Sequence, residues 1–203
     1  MKRPYFESWH NISYITSSGE QLKQATAYLH RTAQFVAIIG KNLVHQDDDD
    51  SNTNMGWEES SASLTGHWVS GSASFRLALN VPEYALRFQD EERKILEEFA
   101  LSGKRKAKIM EWMKSETSIL GADTEKLKHI DHYQIPAHPV DEGAAFEDIP
   151  VNVRKDWAAI FGNAAIALSE VAGNIQPGAS VRVWPHHFDM GSYFPLDKNG
   201  GKP

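Results

Sequence analysis

The first candidate for chemistry in this chain is the string Val183-Trp184-Pro185-His186-His187-Phe188-Asp189. Read as a strand, it sends neighbouring side chains to opposite faces, so His187 and Asp189 share one face and Trp184, His186 and Phe188 the other. A neutral imidazole beside a carboxylate can act as an oriented base or help to hold a divalent metal. His187 and Asp189 are therefore the candidate catalytic pair and the candidate metal ligands, and a divalent ion there would draw its remaining donors from elsewhere. The plainer alternative is that Asp189 only hydrogen-bonds His187, while His186 packs among aromatics.

A second group lies on a helix. His30 and Gln34 are four positions apart and Lys41 is eleven beyond His30, close to three whole turns, so all three fall on one polar seam. Such a seam beside an apolar stripe lies where a pocket can form, with His30 and Gln34 as ligand contacts. Lys41 would then stabilise negative charge that develops during a reaction. The alternative is a solvated flank.

The third group is the acidic loop after that helix. Asp48-x-Asp50-x-Asn52, with Glu59 at the twelfth place, has the outline of a calcium loop. Thr53 stands where that loop needs glycine, and a strand-like rather than helical stretch follows, so the calcium reading is disfavoured. Asn52, Asn54 and Trp57 remain as candidate ligand contacts, since asparagine suits tight turns and amide recognition.

Composition limits what these groups can be. The 203 residues contain no cysteine, which removes disulfides, thiolate metal sites and cysteine nucleophiles. A net charge of −6 gives no support to duplex nucleic acid as a partner. The longest aliphatic–aromatic run, Phe35 to Ile39, is far too short to cross a membrane, and the N-terminus leads into no apolar signal core. A soluble, cytoplasmic protein is expected. No Gly-rich phosphate loop, G-x-S-x-G elbow or H-E-x-x-H motif is present. The basic cluster Lys104, Arg105, Lys106 and Lys108 sits at a helix start, where a bound anion would relieve it; exposure, with balance by Glu97 and Glu98, is the plainer expectation.

The positioning elements follow from hydrophobic period. Glu20 to Leu43 reads as a helix with Leu22, Ala25, Leu29, Ala33, Val36, Ile39 and Leu43 inward, and Ser17 and Ser18 before it as caps. Ser63–Val69, Ala73–Asn80 and Glu83–Phe88 read as strands, with Phe75, Leu77 and Leu79 on the buried face of the second. Leu96, Phe99 and Ala100 would also suit a helix, but Ser102-Gly103 ends Ile95–Leu101 and favours a strand there. A helix from about Lys104 to Leu120 turns Ile109, Met110, Met113, Thr117 and Leu120 inward and closes at Gly121. His129 to Pro139 reads as extended. A third helix, from about Pro150 to Ala172, has Val153, Trp157, Ile160, Phe161, Ala164, Leu168 and Val171 as its apolar face. Val181 to Phe188 reads as the last strand. Adjacent strands favour an antiparallel arrangement, so the expected fold is α+β: a sheet of about five to six strands with three main helices packed on it, in one domain.

With those residues in view, the chain resembles a family of bacterial proteins classed as a domain of unknown function, over about Leu29 to Asp189. The likeness is carried by Leu29-His30 with Gln34, Gly40-Lys41, Asp49 to Asn54 with Gly56-Trp57, His132-Tyr133 with Ile135-Pro136, and Trp184-Pro185-His186-His187-Phe188-Asp189. In that family a histidine commonly stands where Asn52 is here, and a leucine where Met55 is. The family pattern also runs on past the final aspartate, whereas this chain stops soon after, at Gly200-Gly201-Lys202-Pro203. The resemblance therefore implies either a shortened member or a fragment, in both cases without a C-terminal segment. It brings no established activity, but it implies that seam, loop and last strand belong to one site.

The expectation is a small-molecule-binding protein, hydrolytic or metal-assisted, with a pocket between the first helix and the sheet. The rival is a noncatalytic interaction or self-associating domain in which His187 and Asp189 form a structural pair.

Overall fold

A computed structural model describes residues 9–10, 15–130 and 132–194. Helix α1, Gly19–Leu43, starts where the polar run before it supplies a cap. The Gln21 backbone N–H donates to Ser18 Oγ at 3.3 Å, and the Ser18 N–H donates to Gln21 Oε1 at 2.8 Å, so each side chain satisfies the other residue's otherwise unpartnered amide. Ala25, Leu29, Ala33, Val36 and Ile39 are buried as the period requires, but so are Arg31, Thr32, Phe35 and Ile38. The middle of α1 is thus covered on more than one side, with the sheet against one face and a second long helix against another.

The sheet is antiparallel and has six strands: β1 Gly56–Glu58, β2 Ser63–Thr65, β3 Val69–Ser70, β4 Ser74–Asn80, β5 Ala85–Gln89 and β6 Ile95–Ala100. Its order is β1-β2-β4-β5-β6, with β3 also on β4. The single expected strand Ser63–Val69 is therefore two short ones, β2 and β3, both paired with β4. Between them Gly66 lies where a Cβ would come within 2.9 Å of Val36 and 3.2 Å of the Leu77 carbonyl. Phe75, Leu77 and Leu79 are buried as expected, yet Arg76 and Ala78 on the other face are buried too. The Arg76 guanidinium is neutralised there, donating to Glu58 at 3.0 Å and Gln89 at 3.1 Å beneath the Trp68 ring. β6 is a strand because Asp90 reverses the chain, accepting from the amides of Glu92 and Lys94.

Helix α2, Lys106–Ile119, buries Ile109, Met110, Met113 and Thr117, and Gly121 follows with φ of 80°. Two of the basic residues at its start are paired: Lys106 with Asp141 at 3.0 Å and Lys108 with Glu111 at 2.8 Å. Segment 132–138 forms no ladder; side chains hold it instead, through hydrogen bonds from Arg31 to the Pro136 carbonyl and from Tyr133 to Gln34.

Helix α3, Val151–Ile175, corrects the expected apolar face. Val153 and Trp157 are buried, but Ile160 is 42% and Val171 56% exposed, and Ala164 also faces outward. The buried side runs instead through Arg154, Ala158, Gly162, Asn163, Ala165 and Ala172, because α3 meets α1 on small and polar residues. By length and composition α3 could cross a bilayer, and 28% of its most apolar window is buried.

The last expected strand, Val181–Phe188, is a hairpin: β7 Arg182–Trp184 pairs with β8 Asp189–Gly191. Pro185 to Phe188 form its loop, and the Phe188 N–H donates to the Trp184 carbonyl at 2.8 Å. The hairpin joins the chain before β1 through a two-way bridge between Met55 and Val183. The α+β class with three helices and an antiparallel sheet is as the sequence implies.

Candidate functional site

The polar seam of α1 faces the hairpin and the acidic loop. His30 is buried, and its Nε2–H donates to the Pro185 carbonyl at 2.7 Å. Gln34 donates to the same oxygen at 2.7 Å and accepts from the Tyr133 hydroxyl at 2.7 Å. Because a carbonyl can only accept, the His30 proton sits on Nε2. Burial, offset in part by that hydrogen bond, holds the His30 pKa below its ordinary value, so the ring is neutral near pH 7. Phe188 stacks on it with centroids 5.0 Å apart and planes within 5°. His30 and Gln34 thus anchor the hairpin loop to α1.

Phe188 sits at φ of 57°, a left-handed conformation that costs a bulky side chain energy. Its contacts with His30, Trp157 and Phe161 hold it there. The turn also breaks the strand alternation that would have put His187 and Asp189 on one face. Both are exposed, Asp189 pairs across the hairpin with Trp184, and the His187 ring lies edge-on to His186 at 4.3 Å. Among the described residues no three His, Asp or Glu side chains gather where a metal ion could be held. Two donors at an exposed turn fall short of the ligand set a tight divalent site requires.

Lys41, one seam position further on, reaches the acidic loop. Its Nζ lies 2.6 Å from Asp50 Oδ1, and His132 Nε2 lies 2.8 Å from Asp50 Oδ2. Asp50 is therefore shared between a lysine and a histidine. Burial works to raise its pKa, but the hydrogen bond from Lys41 and the charges of both partners outweigh it, so the carboxyl lies below its ordinary value. Asp50 has φ of 56° and precedes a short 3-10 helix, Ser51–Thr53.

That helix presses against the end of α1. A Cβ on Gly40 would lie 2.2 Å from the Asn52 carbonyl oxygen, so the approach requires glycine. Asn52 is buried, donates to the Gly40 carbonyl at 3.1 Å, and its own Oδ1 has no partner among the described residues. Asn54 Oδ1 accepts from His67 Nε2 at 3.0 Å. Trp57 donates to Glu59 at 2.7 Å and packs against Trp157 and Phe161, away from the loop.

A cavity of about 270 Å³ opens between the loop, segment 132–133 and the hairpin, lined by Asp49, Asp50, Thr53, His132, Tyr133, Trp184 and His186. Of the expected residues, His30, Gln34 and Lys41 hold its walls from behind, through Pro185, Tyr133 and Asp50, rather than lining it. His187 and Asp189 do not line it either. Asp50, His132 and Tyr133 enter in their place. His132-Tyr133 carried part of the family resemblance and Asp50 part of the calcium outline, but neither pattern indicates that the two meet. Burial, then the nearby Asp50 charge, raises the Tyr133 pKa, so its hydroxyl stays protonated and donates to Gln34. Family models, curated proteins and solved structures yield no match to this chain.

Proposed function

We propose that this protein binds a small molecule in the cavity between the acidic loop and the hairpin and hydrolyses it with His132 as the base. The reading rests on one observation: Asp50 Oδ2 lies 2.8 Å from His132 Nε2. That carboxylate keeps the proton of a neutral imidazole on Nε2 and leaves the lone pair on Nδ1. A base so oriented takes a proton from water as the water attacks a carbonyl or comparable electrophile, and Asp50 stabilises the imidazolium that results. Lys41 limits how basic Asp50 becomes and locks the loop that carries it. His132 is favoured over His187 because His132 has a carboxylate partner and lines a cavity. The resemblance to a bacterial family rests on the shared residues alone and adds no activity.

A panel of activated esters tests this reading. The wild-type protein should turn over at least one of them about tenfold faster than His132→Gln at unchanged melting temperature. Equal rates would overturn it.

The outward row on α3 favours a second reading, self-association, since Ile160, Val171 and Ile175 are 42%, 56% and 62% exposed. Light scattering should then show a dimer that Val171→Glu dissociates. A monomer at every concentration excludes it.

A further inference from the structure

Beyond Trp184 lies a wider cleft of about 890 Å³, lined by Arg182, His67, Asn54, Ser180 and Tyr193, with Asp48 and Asp49 on its loop side; Trp184 lines both spaces. We propose that this cleft binds a planar organic anion, its ring against Trp184 and its carboxylate or phosphate on Arg182. The proposal rests on the reading that the protein binds a small molecule, but not on the chemistry assigned to His132.

The half-buried Arg182 carries the argument. Elsewhere in the fold Arg31, Arg76 and Arg87 each meet a carboxylate, on Asp141, Glu58 and Glu98. Arg182 has no hydrogen bond or ion pair among the described residues, and it stands where a cross-strand acid would be expected. Its register partner on β8 is Gly191, which has no side chain. On its other flank is Gly56, where a Cβ would lie 3.4 Å from Arg182 Nη1. Two glycines thus make room around a guanidinium that pairs with no carboxylate among the described residues. A planar guanidinium facing a cleft is best satisfied by a bidentate oxyanion.

Strand alternation supplies the second half. Val183 is fully buried beside Met55, so Arg182 and Trp184 point to the opposite face and both line the cleft. Two positions along a strand are about 7 Å apart, close enough for a ring stacked on the indole to reach the guanidinium with an attached anion. His67, near Arg182, is kept below its ordinary pKa by burial and then by the Arg182 charge, so it is neutral and adds a polar wall without a second cation.

Calorimetric titration of the full chain with phenyl phosphate, benzoate and neutral benzamide tests the proposal. Both anions should bind, benzamide at least about tenfold more weakly, and the tighter anion identifies the natural head group as phosphate or carboxylate. Arg182→Gln should lose about tenfold or more in anion affinity with an unchanged melting temperature, Arg182→Lys should keep part of it, and Trp184→Ala should weaken both anions. Equal binding of benzamide, wild-type affinity in Arg182→Gln, or no binding of either anion at millimolar concentration would overturn it. His132→Gln should bind the anions as wild type does. Intact anion binding without ester turnover overturns the His132 reading alone, whereas turnover without anion binding overturns this one alone.

Discussion

Lys41 and Asp50 are joined by a 2.6 Å ion pair that ties the last turn of α1 to the loop after it. The pair is partly exposed, so as a bare salt bridge it contributes little to stability. Its consequence is positional: with one carboxylate oxygen held by Lys41, the other faces His132, more than eighty positions further along the chain. The site geometry depends on this sharing, and the first prediction follows from it.

Asp50 should titrate below its ordinary value of 3.8. Lys41→Met removes a hydrogen bond and a charge that favour the ionised form, so the carboxyl should move upward, and His132→Gln should move it the same way by less. Carboxyl carbon chemical shifts followed by NMR across acidic pH measure this directly. An Asp50 titration that neither variant changes would show that the loop is held in some other way.

Acid should destabilise the fold well before carboxylates titrate. His30, His67, His129 and His138 are all held below the ordinary value of 6.5, chiefly by burial. The unfolded chain therefore takes up protons first as pH falls through about 6.5, and stability declines from there until the folded-state values are passed. The melting temperature should drop between about pH 7 and pH 5. His30→Gln, which keeps a donor for the Pro185 carbonyl but cannot be protonated, should flatten part of that slope.

Gly40→Ala should be severe for so small a change. Its methyl would meet the Asn52 carbonyl oxygen at 2.2 Å, and backbone atoms on both sides leave little room to yield. A loss on the order of 3 kcal/mol is expected in urea denaturation, at the upper end for overpacking. A substitution without effect would mean that the Ser51–Thr53 turn can separate from α1.

Phe188 offers a sign test. Phe188→Ala should cost about 3 kcal/mol through lost packing on His30, Trp157 and Phe161. Phe188→Gly should cost less than Phe188→Ala by about 1 kcal/mol, because only glycine adopts φ of 57° without strain. Thermal denaturation of the two variants compares them, and the opposite order would rule out a left-handed Phe188.

Local pattern was sufficient wherever the determinant was local. The Ser18 cap, the α1 stripe, the strand character of β4 and β5 and most of the inward face of α2 follow from period, capping and turn chemistry, which act within a few residues. The period of Ile95–Leu101 suited a helix as well as a strand, and pairing with β5 decided it. The outward face of α3 was illegible because its apolar residues exceed what its neighbours can cover, and periodicity does not reveal which side a neighbour takes. The hairpin was illegible because Trp184 to Asp189 contains no glycine or asparagine to mark the turn. A carbonyl accepting from two α1 side chains and a phenylalanine stacked on a buried histidine stabilise that turn, and both contacts span more than 150 positions. The sequence alone thus determined that His30, Gln34 and Lys41 share one seam and that these 203 residues offer no thiol. Only the tertiary structure decided what the seam holds, and that Asp50 with His132, and Arg182 with Trp184, face open space, because contacts between distant segments depend on packing that no local period encodes.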